Sequence, residues 1–289
     1  MLKKIILLAG PTASGKSKLA IALAKKINGE IINADSMQIF KEFKILSSRP
    51  SLNETQKIKH HIYGIISVEK YFSAGDWLKE AKKKVEICLK RKKIPIFVGG
   101  TGLYFNIITK GISKIPDIDL KTRNKVRNLH KKLGFKKFYN LLIKADPKIK
   151  GRILPTDSQR VQRAYEVKLK TKKSLFDWFT YTKSEFLDFE IKKIFIDIPR
   201  DKLLKKISTR TELMFKKKCV NEVRKFNKLK IKKSLSANKL IGVQEINDYL
   251  KGLITLEQCK DLINIKTCLL YTSPSPRDSW ASRMPSSAW

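Results

Sequence analysis

Acidic residues are scarce in this chain. Its 289 residues include 26 aspartates and glutamates against 63 lysines and arginines, a formal net charge of +37. Such a field draws a chain toward polyanions, with nucleic acid the first candidate and an anionic membrane surface the second. Lysine drift in an AT-rich genome is a blander source of the same excess, since isoleucine and asparagine are also common; the field still favours nucleic acid over an acidic protein. Long hydrophobic runs are missing too. No apolar stretch approaches the roughly 20 residues that span a bilayer. The start, Met1 to Ala9, has the outline of a short signal peptide, but Gly10 to Ser17 follows where a small-residue cleavage site would stand. It reads as a buried first strand. Only four cysteines are present, Cys88, Cys219, Cys259 and Cys268, without metal-ligand spacing or a paired framework. They fit a reducing cytoplasm, the expected location. The three histidines, His60, His61 and His130, show no metal spacing either, and structural or solvated roles are expected for them. There is no internal repeat, and no obligate protein partner is evident.

What is present has an order. Residues 1–115 alternate short apolar runs with amphipathic stretches: strands at Ile5–Ala9, Glu30–Asn33 and Ile94–Val98, helices at Lys16–Ile27 and Ala74–Lys92. This is the βαβ rhythm of a parallel sheet covered by helices. From Pro116 to Lys192 strand character vanishes, replaced by Lys-, Arg- and aromatic-rich helices broken at Gly134, Pro147 and Pro155. A strand returns at Lys193–Ile198, then a helix from Arg200 to about Lys216 and further helix to about Ile265. The fold class expected is α/β, a P-loop NTPase-like parallel sheet core (1–115 and 193–267) with an inserted all-helical domain (116–192). After Thr267 the composition turns Ser- and Pro-rich with lone tryptophans, so 268–289 is expected to be a non-native or disordered end.

The most specific local signal is Gly10-Pro11-Thr12-Ala13-Ser14-Gly15-Lys16-Ser17, which fits G-x-x-x-x-G-K-[ST] between an apolar strand and an amphipathic helix. Its glycines let backbone N–H groups turn inward around phosphate oxygens, and the new helix aims its positive end at the same place. Lys16 adds a cation, and the Ser17 hydroxyl suits Mg²⁺. The loop predicts a phosphate or diphosphate ligand; kinases, ATPases and prenyltransferases all use such a loop.

About twenty residues on, Asn33-Ala34-Asp35-Ser36-Met37-Gln38 closes the second strand. The carboxyl end of that strand lies beside the phosphate site in this fold, so Asp35 is placed to be a Mg²⁺ ligand, a general base, or simply a turn residue. Ser36 and Gln38 carry groups suited to a base edge. The strand Ile94–Val98 ends in Gly99-Gly100-Thr101-Gly102-Leu103-Tyr104, without the acid that a nucleotide-hydrolysing strand would place there. That favours close backbone approach to a ligand, with the Thr101 hydroxyl as a fixed contact.

Together with Asp157-Ser158-Gln159-Arg160-Val161-Gln162-Arg163-Ala164-Tyr165-Glu166-Val167, these segments resemble the tRNA dimethylallyltransferase (tRNA isopentenyltransferase, or IPP transferase) family over residues 3–267. Weaker echoes are His60-His61, Ile115-Pro116 before Arg123, and Ile241-Gly242-Val243-Gln244-Glu245. The resemblance implies that Gly10–Ser17 holds the diphosphate of dimethylallyl diphosphate, with Mg²⁺ on Ser17 and Lys16 against the leaving group. It implies that Asp35 takes a proton from an adenine N6 beside the anticodon, and that Thr12 and Thr101 line the reacting pocket. It implies tRNA contacts, through the anticodon stem-loop, from Asp35, Ser36, Met37, Gln38, Thr101, Arg123, Gln159, Arg160, Val161, Gln162 and Arg163. Read without the resemblance, Arg160 and Arg163 are solvated charges on one helix face.

Three other functions use similar parts: a small-molecule kinase, an isopentenyltransferase acting on free adenine nucleotides, and a non-catalytic RNA-binding protein. The large basic insertion weighs against the second, and intact Lys16, Ser17 and Asp35 weigh against the third. Two departures from the family stand out. The basic helix that usually follows is replaced by 268–289, and Lys216-Lys217-Lys218-Cys219-Val220 lacks a glycine often found there.

Overall fold

A computed structural model describes residues 3–180, 182–233 and 235–272. In chain order the first elements are β1 (Lys3–Ala9), α1 (Lys16–Lys26), β2 (Gly29–Asn33), α2 (Leu52–Lys57), β3 (His60–His61), α3 (Ala74–Lys90), β4 (Ile94–Gly99) and α4 (Gly102–Lys110). Then come α5 (Leu120–Ala145), α6 (Ser158–Thr171), α7 (Leu175–Phe179), β5 (Phe189–Phe195), α8 (Arg200–Lys216), α9 (Cys219–Lys228), α10 (Val243–Leu250) and α11 (Leu256–Thr272). The described residues fall into two compact units, one drawn from the chain up to 109 and from 188 onward, the other from 110–187. The division falls about five residues before the one expected at each end. The insertion begins as soon as α4 closes, and the return strand starts at Phe189, ahead of the expected Lys193.

The first unit carries a five-stranded parallel sheet in the order β3-β2-β4-β1-β5. Its central strands are apolar on both faces: Ile5, Leu7 and Leu8 of β1, Ile32 of β2, and Ile96 and Phe97 of β4 are fully buried. Strands covered by helices on both sides need this near-continuous apolar text. At the edge, β5 pairs only with β1 among the described residues and exposes Lys192 and Lys193. Charge on an edge strand discourages pairing with other chains. Helix α3 starts at a reciprocal cap, the Ser73 hydroxyl accepting from the Asp76 N–H (3.1 Å) and the Asp76 carboxylate from the Ser73 N–H (2.9 Å). This orients Trp77, fully buried, which stacks on Tyr104 (4.0 Å between centroids, 4°) and donates its indole N–H to the Asn33 carbonyl (3.0 Å). One aromatic residue thus ties α3 to α4 and to the end of β2.

Helix α11 runs to Thr272, into the stretch set apart by composition, and Cys268 is buried. The five residues 268–272 therefore continue the helix, with Cys268 keeping the apolar spacing of the turns before it. Residues 273–289, the rest of the expected atypical end, lie outside the described residues. Between α8 and α9, Lys218 stands in the left-handed conformation (φ 65°), the place where a glycine was missed in the sequence.

The second unit is all helical. Val126, Phe138, Leu142, Ile149, Val161, Ala164 and Val167 form its core, with α5 against α6. Gly134 (φ 72°, ψ 175°) breaks α5, and a single 3₁₀ turn begins at Pro147, both as expected from the sequence. Between Lys110 and Leu187 there are 21 lysines and arginines against 7 aspartates and glutamates.

Candidate active site

Three strand ends meet because β2, β4 and β1 are neighbours in the sheet. After β1, the loop Gly10–Gly15 wraps ahead of α1. Ala13 (φ 62°) and Gly15 (φ 91°) both take left-handed conformations. That alternation turns successive N–H groups to one side, the geometry of an anion-binding nest. A side-chain carbon on Gly10 would come within 3.2 Å of the Ser14 hydroxyl and 3.0 Å of the Ile196 carbonyl. Ser14 is buried and its Oγ has no hydrogen-bond partner among the described residues. An unsatisfied buried hydroxyl costs on the order of 1–3 kcal/mol, and a phosphate oxygen in the nest would satisfy it.

Lys16 folds its ammonium back over this loop, donating to the carbonyls of Gly10 (2.8 Å) and Pro11 (2.5 Å). Burial is the main reason its pKa falls from the ordinary 10.5 to about 8; the Asp35 carboxylate opposes that fall and the Arg210 guanidinium adds to it. The lysine therefore lies within electrostatic reach of one carboxylate and one arginine. Arg210 in α8 was not singled out in the sequence. Its Nε donates to Ser48 Oγ at 2.8 Å. Leu203, Ile207 and Met214 of the same helix are buried, and Arg210 stands in their i, i+4, i+7, i+11 row. A charge in an apolar stripe was the signal available.

Asp35 leaves β2 in a tight network. Its N–H donates to Asn33 Oδ1 (2.8 Å), and its own Oδ1 accepts the Met37 N–H (2.9 Å). The turn role anticipated for an aspartate here is thus real for one oxygen. Its Oδ2 has no hydrogen bond among the described residues. Burial first, and the Asp35 charge second, push the Tyr63 and Tyr104 hydroxyls well above their ordinary pKa, so both stay protonated beside it. Thr101 sits where β4 ends. Its N–H donates to the Ala34 carbonyl (3.2 Å), and its Oγ1 accepts the Ser36 N–H (3.0 Å). Gly99 makes this crossing possible: a Cβ there would stand 2.1 Å from the Ala34 carbonyl oxygen. Gln38 turns its amide nitrogen away to the carbonyls of Ser47 and Ser48, both at 3.0 Å. Ser17 is exposed on the first turn of α1, and Thr12, Ser36 and Met37 are half-buried around the same strand ends.

The structure thus gathers Gly10–Ser17, Asp35–Gln38 and Thr101 in the first unit. It places Arg123 and Gln159–Arg163 in the second. There Arg160 is exposed and pairs with Asp157 (3.3 Å), while Arg163 is half-buried and pairs with the buried Glu166 (3.6 Å). Burial, and secondarily Arg123, lower the Arg163 pKa, with Glu166 opposing. Val161 is buried in the helical core, so Gln159, Arg160, Gln162 and Arg163 carry the accessible chemistry of that turn.

A second convergence was invisible in the spacing. Glu30 (β2), His61 (β3) and Cys88 (α3) are buried with their ligand-type atoms within 4.8 Å of one another. His61 Nε2 lies 2.6 Å from Glu30 Oε2, and Arg91 donates to Glu30 Oε1 at 2.8 Å. Burial pushes the Cys88 thiol up to about 12 and lowers His61 despite the bond to Glu30. The carboxylate is already neutralised by Arg91 and hydrogen-bonded on both oxygens, so the cluster is a satisfied interior ion pair.

Among the described residues, no helix is long and apolar enough to cross a membrane. A family model described as IPP transferase matches residues 38–271, downstream of the phosphate loop. A tRNA dimethylallyltransferase from Pelagibacter ubique (strain HTCC1062) is 54% identical over 264 residues, 91% of this chain and 84% of the relative. A full-length tRNA isopentenylpyrophosphate transferase from Bacillus halodurans is similar in structure, with a TM-score of 0.66 and 27% identity over 98% of this chain and 88% of that one. A eukaryotic dimethylallyltransferase acting on tRNA gives a TM-score of 0.82, also at 27% identity, over 96% of this chain and 69% of that one. Sheet, strand-end chemistry and sequence agree: the chain belongs to the IPP transferase family.

Proposed function

We propose that this chain transfers a dimethylallyl group from dimethylallyl diphosphate to N6 of the adenosine 3′ of the anticodon in tRNA, releasing diphosphate. One observation carries the reading: the charges of Lys16, after β1, and Asp35, after β2, interact across the end of the strand between them, which stops in Gly99-Gly100 instead of an acid. A cation beside a phosphate nest and a carboxylate whose second oxygen makes no hydrogen bond among the described residues suit a substitution with an anionic leaving group and a protonated nucleophile. In that reaction the N6–C1 bond forms as the C1–O bond to diphosphate breaks.

Each part has a task. The loop amides, the Ser14 hydroxyl and Lys16 take up negative charge as it gathers on the leaving diphosphate, and Arg210 adds a second cation. Asp35 Oδ2 accepts the N6 proton. Thr101 holds the Ser36 backbone, and with it the turn that carries Asp35. Tyr63 and Tyr104, held neutral, wall the carboxylate without competing for the proton. A hydroxyl oxygen is the kind of donor a hard cation takes, and Ser17, exposed at the start of α1, is the residue that would hold Mg²⁺ beside the bound diphosphate. Bound there, the ion would neutralise diphosphate charge. The basic helical unit, with Arg123, Gln159, Arg160, Gln162 and Arg163, is suited to the anticodon stem-loop. Buried cysteines outside any disulfide, Cys88, Cys219, Cys259 and Cys268, fit a cytoplasmic setting.

The test is incubation of the full chain with Mg²⁺ and labelled dimethylallyl diphosphate, separately with bulk tRNA, AMP and ATP. Label is expected in tRNA alone, with Asp35→Ala lowering turnover about 10²–10⁴-fold and leaving tRNA binding in place. Label in AMP or ATP, or phosphate released from ATP, would replace this reading with a nucleotide prenyltransferase or a kinase.

A further inference from the structure

The segment from Phe43 to Arg49 follows the Asp35–Gln38 turn and contains none of the residues assigned above. It is fixed to the far part of the same unit by an unusual contact. Glu222 of α9 presents its carboxylate to three consecutive backbone N–H groups. Oε1 accepts from Lys44 (2.8 Å) and Ile45 (2.7 Å), and Oε2 accepts from Leu46 (2.9 Å). Phe43 packs on Phe226, one turn along α9, with ring centroids 4.8 Å apart and both rings buried. Leu46, also buried, lies against Gly242 at the start of α10, where a side-chain carbon would come within 2.6 Å of Leu46 Cδ1.

The free side of the segment does different work. Its Ser47 and Ser48 carbonyls accept the Gln38 amide, and its Ser48 hydroxyl accepts from Arg210 Nε. One short stretch of backbone therefore holds a residue of the acceptor side, Gln38, and a residue of the donor side, Arg210. Three convergent donors need acceptors only. A carboxylate supplies two oxygens and no hydrogen, whereas a carboxamide would turn an N–H against one of the backbone N–H groups.

We propose that Glu222 is a positioning residue for the transfer reaction: by fixing Lys44–Leu46 it sets Gln38 against the acceptor base and Arg210 against the diphosphate. The inference rests on the function proposed above. It predicts coupling that a purely structural contact would not show, because Glu222 acts on the substrates only through Gln38 and Arg210.

The test uses the full chain, with KM for tRNA, KM for dimethylallyl diphosphate, kcat and thermal midpoint measured for four variants. Glu222→Gln is expected to raise both KM values about tenfold, the effect of misplacing one charge-assisted hydrogen bond on each side. Gln38→Ala is expected to raise only the KM for tRNA. In the double variant, Glu222→Gln should add nothing further to the KM for tRNA, while its effect on the thermal midpoint persists. Ser48→Gly removes the hydroxyl at a position already at φ 53°, so no backbone strain is added; it should raise the KM for the donor about threefold to tenfold. Multiplying effects of Glu222→Gln and Gln38→Ala on the KM for tRNA would overturn the proposal, as would an unchanged donor KM in Ser48→Gly. Should Glu222→Gln fail to fold, Ser48→Gly decides alone. A wild-type chain without transfer to tRNA sinks the function and this inference together; an active wild type with multiplying effects sinks this inference only.

Discussion

Replacing Lys16 by methionine should make the ligand-free protein more stable at neutral pH while removing its affinity for diphosphate. The lysine is held charged where burial opposes charge, so its pKa falls from 10.5 to about 8. A difference of that size corresponds to about 3 kcal/mol of folding free energy spent on keeping the ammonium in place at pH 7. Methionine nearly conserves volume and removes the charge. It also leaves the Gly10 and Pro11 carbonyls without their donor, a loss of about 1 kcal/mol each. The net gain expected is therefore about 1 kcal/mol, or a rise of about 2–4 °C in thermal midpoint for a chain of this size. The pH dependence gives the sharper check. Because the folded pKa lies below the unfolded one, the unfolded chain binds more protons between about 8 and 10.5. The wild type loses stability as pH falls through that window, and the cost is complete below about pH 8. The advantage of Lys16→Met should be full at pH 7 and shrink as pH rises toward 10.5. The other 62 lysines and arginines are common to both proteins and cancel in the difference. Urea unfolding at pH 7, 9 and 10.5 measures it, and added diphosphate should raise the midpoint of the wild type only. A variant less stable than wild type at pH 7, with a difference that does not change with pH, would refute the argument.

Further expectations follow from single positions. Gly99→Ala drives a methyl to 2.1 Å from the Ala34 carbonyl, so a loss of about 3 kcal/mol or more is expected in urea unfolding; a midpoint equal to wild type would show that the strand end is slack. Lys218→Gly relieves a left-handed lysine (φ 65°) and should raise stability by about 1 kcal/mol. His60 and His61 are both held below their ordinary pKa, chiefly by burial. Their contribution is intact above about pH 6.5 and lost as pH falls below it, so His61→Gln should flatten the decline in stability between pH 7 and 5. Arg163→Ala should weaken tRNA binding evenly across sequences and lower the log–log salt slope by about one; filter binding from 50 to 200 mM salt would reveal a flat response if the basic unit is not the contact surface.

The phosphate loop, the central strands and the helical insertion were legible because each rests on local spacing. Gly15-Lys16-Ser17 sits between a strand that is apolar from Ile5 to Ala9 and an amphipathic helix, and Gly134 and Pro147 interrupt helices by their own backbone chemistry. Strand β3 was missed because two residues, His60 and His61, are too short for any period. The start of β5 was placed late because the edge position lets Phe189–Lys192 mix apolar and charged residues. What could not be read was convergence. Glu30, His61 and Cys88 are separated by about thirty residues at each step, and only the order β3-β2-β4 brings the first two together. Arg210 reaches the loop from a helix read as core, although its place in an apolar row was there to be noticed. Cys268 shows the converse: composition set its segment apart, while helical spacing carried it into the body.

Strand β1 carries the phosphate loop, yet its outer neighbour is β5, and the whole basic unit is translated between them. On the ribosome, β1 must wait for Phe189 to emerge before that flank can pair. At ordinary elongation rates the wait is on the order of 10 s or more. During it, an apolar strand with free amides and carbonyls is open to capture by other nascent chains. A trigger-type chaperone binding the first hundred residues, or fast autonomous folding of the helical unit that brings residues 110 and 187 near each other early, would shorten that exposure and set the yield of active enzyme.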